Sequence, residues 1–262
     1  MLAQGHGFVD SHCHLNLLDL EPWDGDFARM MEAAGDAGVS RILCIATDLE
    51  TFPRVRELAE SWPGVHGTVG VHPLYRDSRE PDEDELVELA RHPRIVAIGE
   101  TGLDYFYASE DAQWQRERFR VHVRAARRSG LPLVIHTRKA REDTLGILRE
   151  EGQGEVTGVL HCYTENRRMA EEAIEMGFFI SVSGIVTFAN ASNVRKVVRQ
   201  LPLERLLIET DAPWLAPVPY RGKPNEPRYV TEVAACVAGL HEVSVEKVAT
   251  LTRENYFRLF NL

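Results

Sequence analysis

Short apolar runs rich in Val and Ile alternate along this chain with longer segments whose apolar residues recur every three to four positions. The first pattern predicts strands buried on both faces; the second predicts amphipathic helices that cover them. Eight runs read as strands: 8–10, 41–47, 66–72, 95–100, 132–136, 158–161, 178–183 and 206–209. Helices are predicted between them at 24–37, 49–61, 82–91, 111–129, 141–150, 166–176 and 190–200, with two more in the tail at 228–240 and 245–260. Gly38, Gly130 and Gly177 each close a helix before the next strand, where a residue tolerating positive φ ends the helix at little cost. Repeated βα units of this number predict an α/β fold, a single (β/α)8 TIM barrel over residues 1–262, with the tail helices packed outside it. An open doubly wound sheet would place a Gly-rich phosphate loop after its first strand, and that position reads DSHCHL.

Composition narrows the class. Hydrophobic residues make up 44% of the 262 and charged residues 27%, enough for one large core. The start carries no basic head followed by an apolar stretch, and no run of ~18 apolar residues occurs, so a cytoplasmic monomer is expected, with no membrane partner. The four cysteines are scattered without a CxxC pair, which predicts reduced thiols rather than disulfides or a thiolate metal site. A net charge of −10 argues against a broad grip on a polyanion, so a nucleic-acid substrate has to be held locally.

The candidate chemistry sits at strand ends. His12 and His14 are two apart at the end of the first strand, so both imidazoles face one barrel mouth while Cys13 points away. The fourth strand ends at Glu100, the fifth at His136, the sixth at His161, and the eighth leads into Asp211. These are carboxyl ends, the face where barrel enzymes place their catalytic groups. An HxH pair alone arises by chance, and one such residue often only caps a loop. Six together would leave several buried charges unpaired unless cations neutralise them. The set accommodates two divalent metal ions: Glu100 between them, His12, His14 and Asp211 on one, His136 and His161 on the other. The histidines favour Zn, Mn or Co, with Mg as a further option. Asp211 is the candidate base for a metal-activated water.

The strings DSHCHL, GVHP, AIGETGLDY, LPLVIHTR, LHCY, SVSGIVTF and ETDAPWLAPVPYRGKPNEP, in this order from about Phe8 onward, resemble the TatD family of metal-dependent deoxyribonucleases. The resemblance implies a TIM-barrel hydrolase, a nuclease acting on DNA as an exonuclease, with the same six ligands. It adds His72, of GVHP, as a substrate-phosphate contact or proton donor. HCYTENR stands where the family commonly has HCFSG, and HTR where it has HSR; both changes keep the ligand histidine and alter loops around the mouth.

Secondary candidates follow. Arg138 and Arg221 lie in loops after the fifth and eighth strands, and a planar guanidinium suits a phosphate. Lys223 is a weaker candidate beside Arg221. Tyr105, Phe106 and Tyr107 either stack on a nucleobase or pack over helix ends. Asn225 braces a loop or a ligand, and Asp10 is a candidate acceptor for a neighbouring histidine. His6, His66, His92, His122 and His241 read as structural or solvent-exposed. Two other classes remain open: an amidohydrolase-like hydrolase of a small ester, lactone or amide, and a non-catalytic metal-binding scaffold. The first often bridges its metals with a modified lysine after the fourth strand, where this chain has Glu100; the second would lack one or more ligands.

Overall fold

A computed structural model describes residue 2, residues 7–108 and residues 112–262. His6 and the expected helix start at Asp111 lie outside the described residues. Eight parallel strands form one sheet in sequence order: β1 Phe8–Cys13, β2 Val39–Cys44, β3 Val65–Val69, β4 Ile95–Asp104, β5 Leu133–Arg138, β6 Gly158–Leu160, β7 Phe179–Val182 and β8 Leu206–Ile208. The ring closes just past β8, where Cys13 bridges Ala212 in parallel and Asp211 N donates to His12 O at 2.9 Å. The helices are α1 Phe27–Asp36, α2 Phe52–Ser61, α3 Glu83–Leu89, α4 Gln113–Ser129, α5 Arg141–Gly152, α6 Arg167–Glu175, α7 Ser192–Val198, α8 Val230–His241 and α9 Val245–Phe260. Among the described residues, no helix is long and apolar enough to cross a membrane.

Local chemistry sets the element boundaries. Asp26, Asp82, Asn166 and Ser244 each accept a hydrogen bond from a backbone N–H in the first turn of the helix they precede, satisfying a donor that the helix itself leaves open. This shortens α1 relative to the expected start at Asp24. Three strands run further than expected, β1 to Cys13, β4 to Asp104 and β5 to Arg138, which places Arg138 on the strand end and not in the loop after it, whereas β3 stops at Val69, three residues before His72. At Gly102, with φ +130°, a Cβ would lie 2.0 Å from His136 O, so β4 can pair with β5 this far only with glycine there.

Two packed layers divide the core. One lies between strands and helices and includes Ile42, Val69, Ile98, Leu133, Phe119 and Val123. The other fills the barrel with Val9, Leu43, Ile45, Val134, Val159, Phe179 and Leu207. Tyr256, Leu259 and Phe260 of α9 join this inner cluster. The tail helix thus forms the floor of the barrel opposite its mouth instead of lying on the outer ring. The floor carries a polar contact, His66 Nδ1 to the Tyr256 hydroxyl at 3.1 Å.

His122 is buried structural histidine on α4. Its Nδ1 donates to Arg118 O at 2.8 Å, so its Nε2 is the acceptor for Val71 N at 3.0 Å. Burial pushes its pKa down to about 4. The unfolded chain takes up that proton near 6.5, so the stability contributed by the neutral ring is whole above that pH and drains away as pH falls to about 4. The loss amounts to about 3 kcal/mol. Urea unfolding at about pH 7 and pH 4 is expected to show the wild type losing that much more than His122→Gln; an equal acid loss in both proteins would refute it.

Candidate metal centre

Strand geometry brings the six sequence-predicted residues to one point. His12 is on β1 and His14 just beyond it, Glu100 on β4, His136 on β5, His161 directly after β6, and Asp211 after β8 at φ 58°. The Nε2 atoms of His12 and His14 are 3.2 Å apart. Glu100 Oε2 lies 3.3 and 3.7 Å from them, and Asp211 Oδ1 3.6 and 3.5 Å. Four tetrahedral ligands held about 2.1 Å from one ion are separated by about 3.4 Å, so these atoms match the shell of a zinc-sized cation.

The other oxygen of Glu100 faces a second group. Oε1 is 2.8 Å from His161 Nε2, 3.4 Å from His136 Nδ1 and 3.3 Å from His72 Nε2, and the first two nitrogens are 3.4 Å apart. One carboxylate therefore divides its oxygens between two sets of imidazoles.

Hydrogen bonds on the far side of each ring distinguish these histidines. His161 Nδ1 donates to Glu209 Oε1 at 3.3 Å, and His136 Nε2 donates to Asp104 Oδ2 at 2.9 Å. Each ring, when neutral, then turns a lone pair towards Glu100, as a metal ligand must. His72 is the reverse. Leu74 N donates to its Nδ1 at 3.1 Å, so the ring proton sits on Nε2, facing the centre. A nitrogen carrying a proton donates a hydrogen bond and does not coordinate. His12 Nδ1 and His14 Nδ1 are buried without a partner among the described residues; their rings are fixed by stacking, His12 on His161 at 3.8 Å and His14 edge-on to Trp214 at 4.9 Å.

The electrostatics favour cations. Burial opposes charge on Glu100, yet the adjoining His161, His72 and His12 outweigh it and hold the carboxyl well below its usual range. Asp211 is lowered in the same way, burial being outweighed by His14, His12 and His161. On His161, burial opposes protonation but Glu100 and Glu209 more than offset it, and its pKa rises well above the ordinary value. A cation would displace that proton. Two imidazoles and two carboxylates on one side, and imidazoles sharing a carboxylate on the other, form a borderline donor set suited to Zn, Mn or Co.

Asp104 and Glu209 were missed from the sequence. Each stands an even number of residues from a predicted ligand, Asp104 four after Glu100 and Glu209 two before Asp211, and strand alternation was the available signal. Asp10 does not orient an imidazole. Its carboxylate accepts from His12 N at 3.4 Å, Thr210 N at 2.9 Å and Thr210 Oγ1 at 2.5 Å, tying β1 to the segment after β8, and burial pushes its pKa up to about 8. Asn225 braces the last loop through Thr210 O and Trp214 O, at 2.8 and 2.5 Å.

A cavity of about 680 Å³ opens over the centre, and its wall includes His14, His72, Arg138, Tyr107 and Trp214. The Arg138 guanidinium lies 3.9 Å from the Phe106 ring centre. Arg221 is not part of this wall; its guanidinium rests on Phe188 at 3.8 Å and donates to Ala216 O at 3.2 Å. Tyr105 turns away from the mouth, its hydroxyl donating to Asp143, whereas Tyr107 and Trp214 remain 63% and 48% exposed at the rim.

Comparison with known proteins agrees with this architecture. The family described as TatD related DNase matches residues 9–261. The uncharacterised metal-dependent hydrolase YcfH of Escherichia coli K12 is 46% identical over 255 residues, covering 97% of this chain and 96% of that protein. The uncharacterised metal-dependent hydrolase YabD of Bacillus subtilis is 41% identical over 97% and 98%. The crystal structure of YjjV, a TatD homologue from Escherichia coli K12, superposes with a TM-score of 0.87 at 30% identity, covering 97% and 98% of the two chains. With the family matched over nearly the whole length and the barrel and its buried ligand-type cluster in place, the chain belongs to the TatD-related family of metal-dependent hydrolases.

Proposed function

We propose that this protein is a phosphodiesterase that hydrolyses DNA from a strand end with two divalent cations. His12, His14, Glu100 and Asp211 would hold one, and Glu100, His136 and His161 would hold the other. The observation that carries this reading is the division of the Glu100 oxygens between two imidazole sets, each spaced for a cation. When bound, such a pair lowers the pKa of a water towards ~7 and offsets phosphate charge.

The chain's own groups supply the remainder. Asp211, ionised and beside the first set, accepts the proton of the attacking water. His72 Nε2–H, aimed into the cavity, donates to a phosphate oxygen or to the departing one. Arg138 is the candidate phosphate contact in the wall. Tyr107 and Trp214 give rings at the rim on which bases can stack, each such contact contributing ~1–3 kcal/mol without relying on net charge. A centre buried below this cavity is reached more easily by a single strand end than by a duplex. Glu100, in place of a bridging lysine, favours this reading over an amidohydrolase-like one.

Metal-free protein resupplied with Mn²⁺, Zn²⁺ or Mg²⁺ is expected to shorten a labelled single-stranded DNA oligonucleotide stepwise, and chelator is expected to stop it. Absence of cleavage by protein with confirmed bound metal would move the assignment to small esters, lactones and amides.

A further inference from the structure

Helix α4 presents Gln115, Arg118 and His122 on one buried face, at positions i, i+3 and i+7. A helix buried against strands normally shows apolar side chains on that face, and these three polar ones are all engaged with a single loop. His122 Nε2 accepts from Val71 N at 3.0 Å. Arg118 Nη1 donates to His72 O at 2.9 Å and Tyr75 O at 3.0 Å, while its other nitrogens bind Glu80. Gln115 Nε2 donates to Pro73 O at 2.9 Å. The loop after β3 is therefore gripped at successive points on both sides of His72.

Gln115 reaches a second arm of the site. Its Oε1 accepts from Asp104 N at 2.9 Å, and Asp104 is the carboxylate that holds His136. The side chain is 0% exposed, and one amide thus joins the segment bearing His72 to the strand end that orients His136. Both imidazoles face Glu100 Oε1, at 3.3 and 3.4 Å. A hydrogen-bond donor shifted by a fraction of an ångström loses much of its effect on a developing charge, so the span fixed by this amide matters for turnover.

We infer that Gln115 is a positioning residue for His72, holding the loop that aims the His72 Nε2–H into the cavity at a fixed distance from the Asp104–His136 arm. The inference rests on the proposed role of His72 as the proton-bearing group of a phosphodiesterase site.

The test combines a double-mutant cycle with a measurement that needs no substrate. Gln115→Met keeps shape and volume but removes both hydrogen bonds; it is expected to lower kcat on the oligonucleotide ~10- to 100-fold, the range for residues that orient catalytic groups, with bound metal unchanged. In the His72→Gln background the same substitution is expected to change kcat less than about twofold, because a residue acting through His72 has nothing further to lose. Equal losses in both backgrounds, or none in the wild type, would overturn the inference. Independently, ¹⁵N NMR of the imidazoles, with the His72 signal assigned from its loss in His72→Gln, reads the tautomer directly. The wild type is expected to show Nε2–H, and Gln115→Met a shift towards mixed tautomers; an unmoved signal would overturn the inference even if DNA is not the substrate. The expected Nε2–H signal and its shift in Gln115→Met, found in a protein that does not cleave DNA, would count against the proposed function alone. If Gln115→Met does not fold, Gln115→Glu, which keeps an oxygen acceptor for Asp104 N and loses the donor to Pro73 O, is expected to move both readouts in the same direction; no movement in either would overturn the inference.

Discussion

Replacing Glu100 with glutamine is expected to lower kcat/KM by ~10³-fold or more, about 4 kcal/mol in transition-state stabilisation, and to reduce bound metal from two ions to one or none. The reason is geometric. Glu100 Oε2 stands among His12 and His14 and Oε1 among His136, His161 and His72, so one substitution weakens both sets together. Glutamine offers one oxygen and one N–H group, and an N–H cannot coordinate. The change also removes the negative charge that offsets several buried imidazoles. Elemental analysis beside kinetics decides the matter: two retained ions with undiminished turnover would eliminate the bridging role.

Asp211→Asn is expected to separate proton transfer from metal binding. Asparagine keeps an oxygen towards His12 and His14, so the first ion is expected to remain, weaker by the loss of one charge. The amide cannot accept a proton from water near neutral pH, and a general base contributes typically ~10²–10⁴-fold. The surrounding histidines hold the Asp211 carboxyl below its ordinary pKa despite burial, so the proposed base is already ionised throughout the neutral range. The expected result is a drop in kcat of that size at saturating metal. Wild-type turnover in metal-loaded Asp211→Asn protein would assign the base elsewhere.

The parts of this site legible in the sequence share a cause. His12, Glu100, His136, His161 and Asp211 end or follow apolar runs, and period-two alternation with the carboxyl-end rule assigns them to one mouth without coordinates. His14 was legible through its spacing from His12, although it lies past the strand rather than on it. The supporting carboxylates were not. Asp104 lies beyond two glycines, and nothing local reveals that Gly102 lets β4 continue beside His136 O. Glu209 was read as the end of a strand, and its partner His161 is 48 positions away. Gln115 looked like any polar residue on an amphipathic helix, because its two partners, Pro73 in a loop and Asp104 at a strand end, are brought together only by folding. Likewise, the tail pattern showed that α9 has an apolar face but not that this face fills the barrel from below. Long-range placement follows from packing, and a periodic pattern carries only its local part.

The floor made by Tyr256, Leu259 and Phe260 has an implication for how the chain is made. All eight strands precede α9, so the whole ring is synthesised ahead of the helix that seals its lower opening. A ring without α9 would leave Val9, Leu43 and Leu207 open to water, and transiently exposed apolar surface of this kind promotes aggregation. The candidate metal cluster and the closing plug thus stand at opposite ends of the same cylinder, and the plug is the last of its elements to be made.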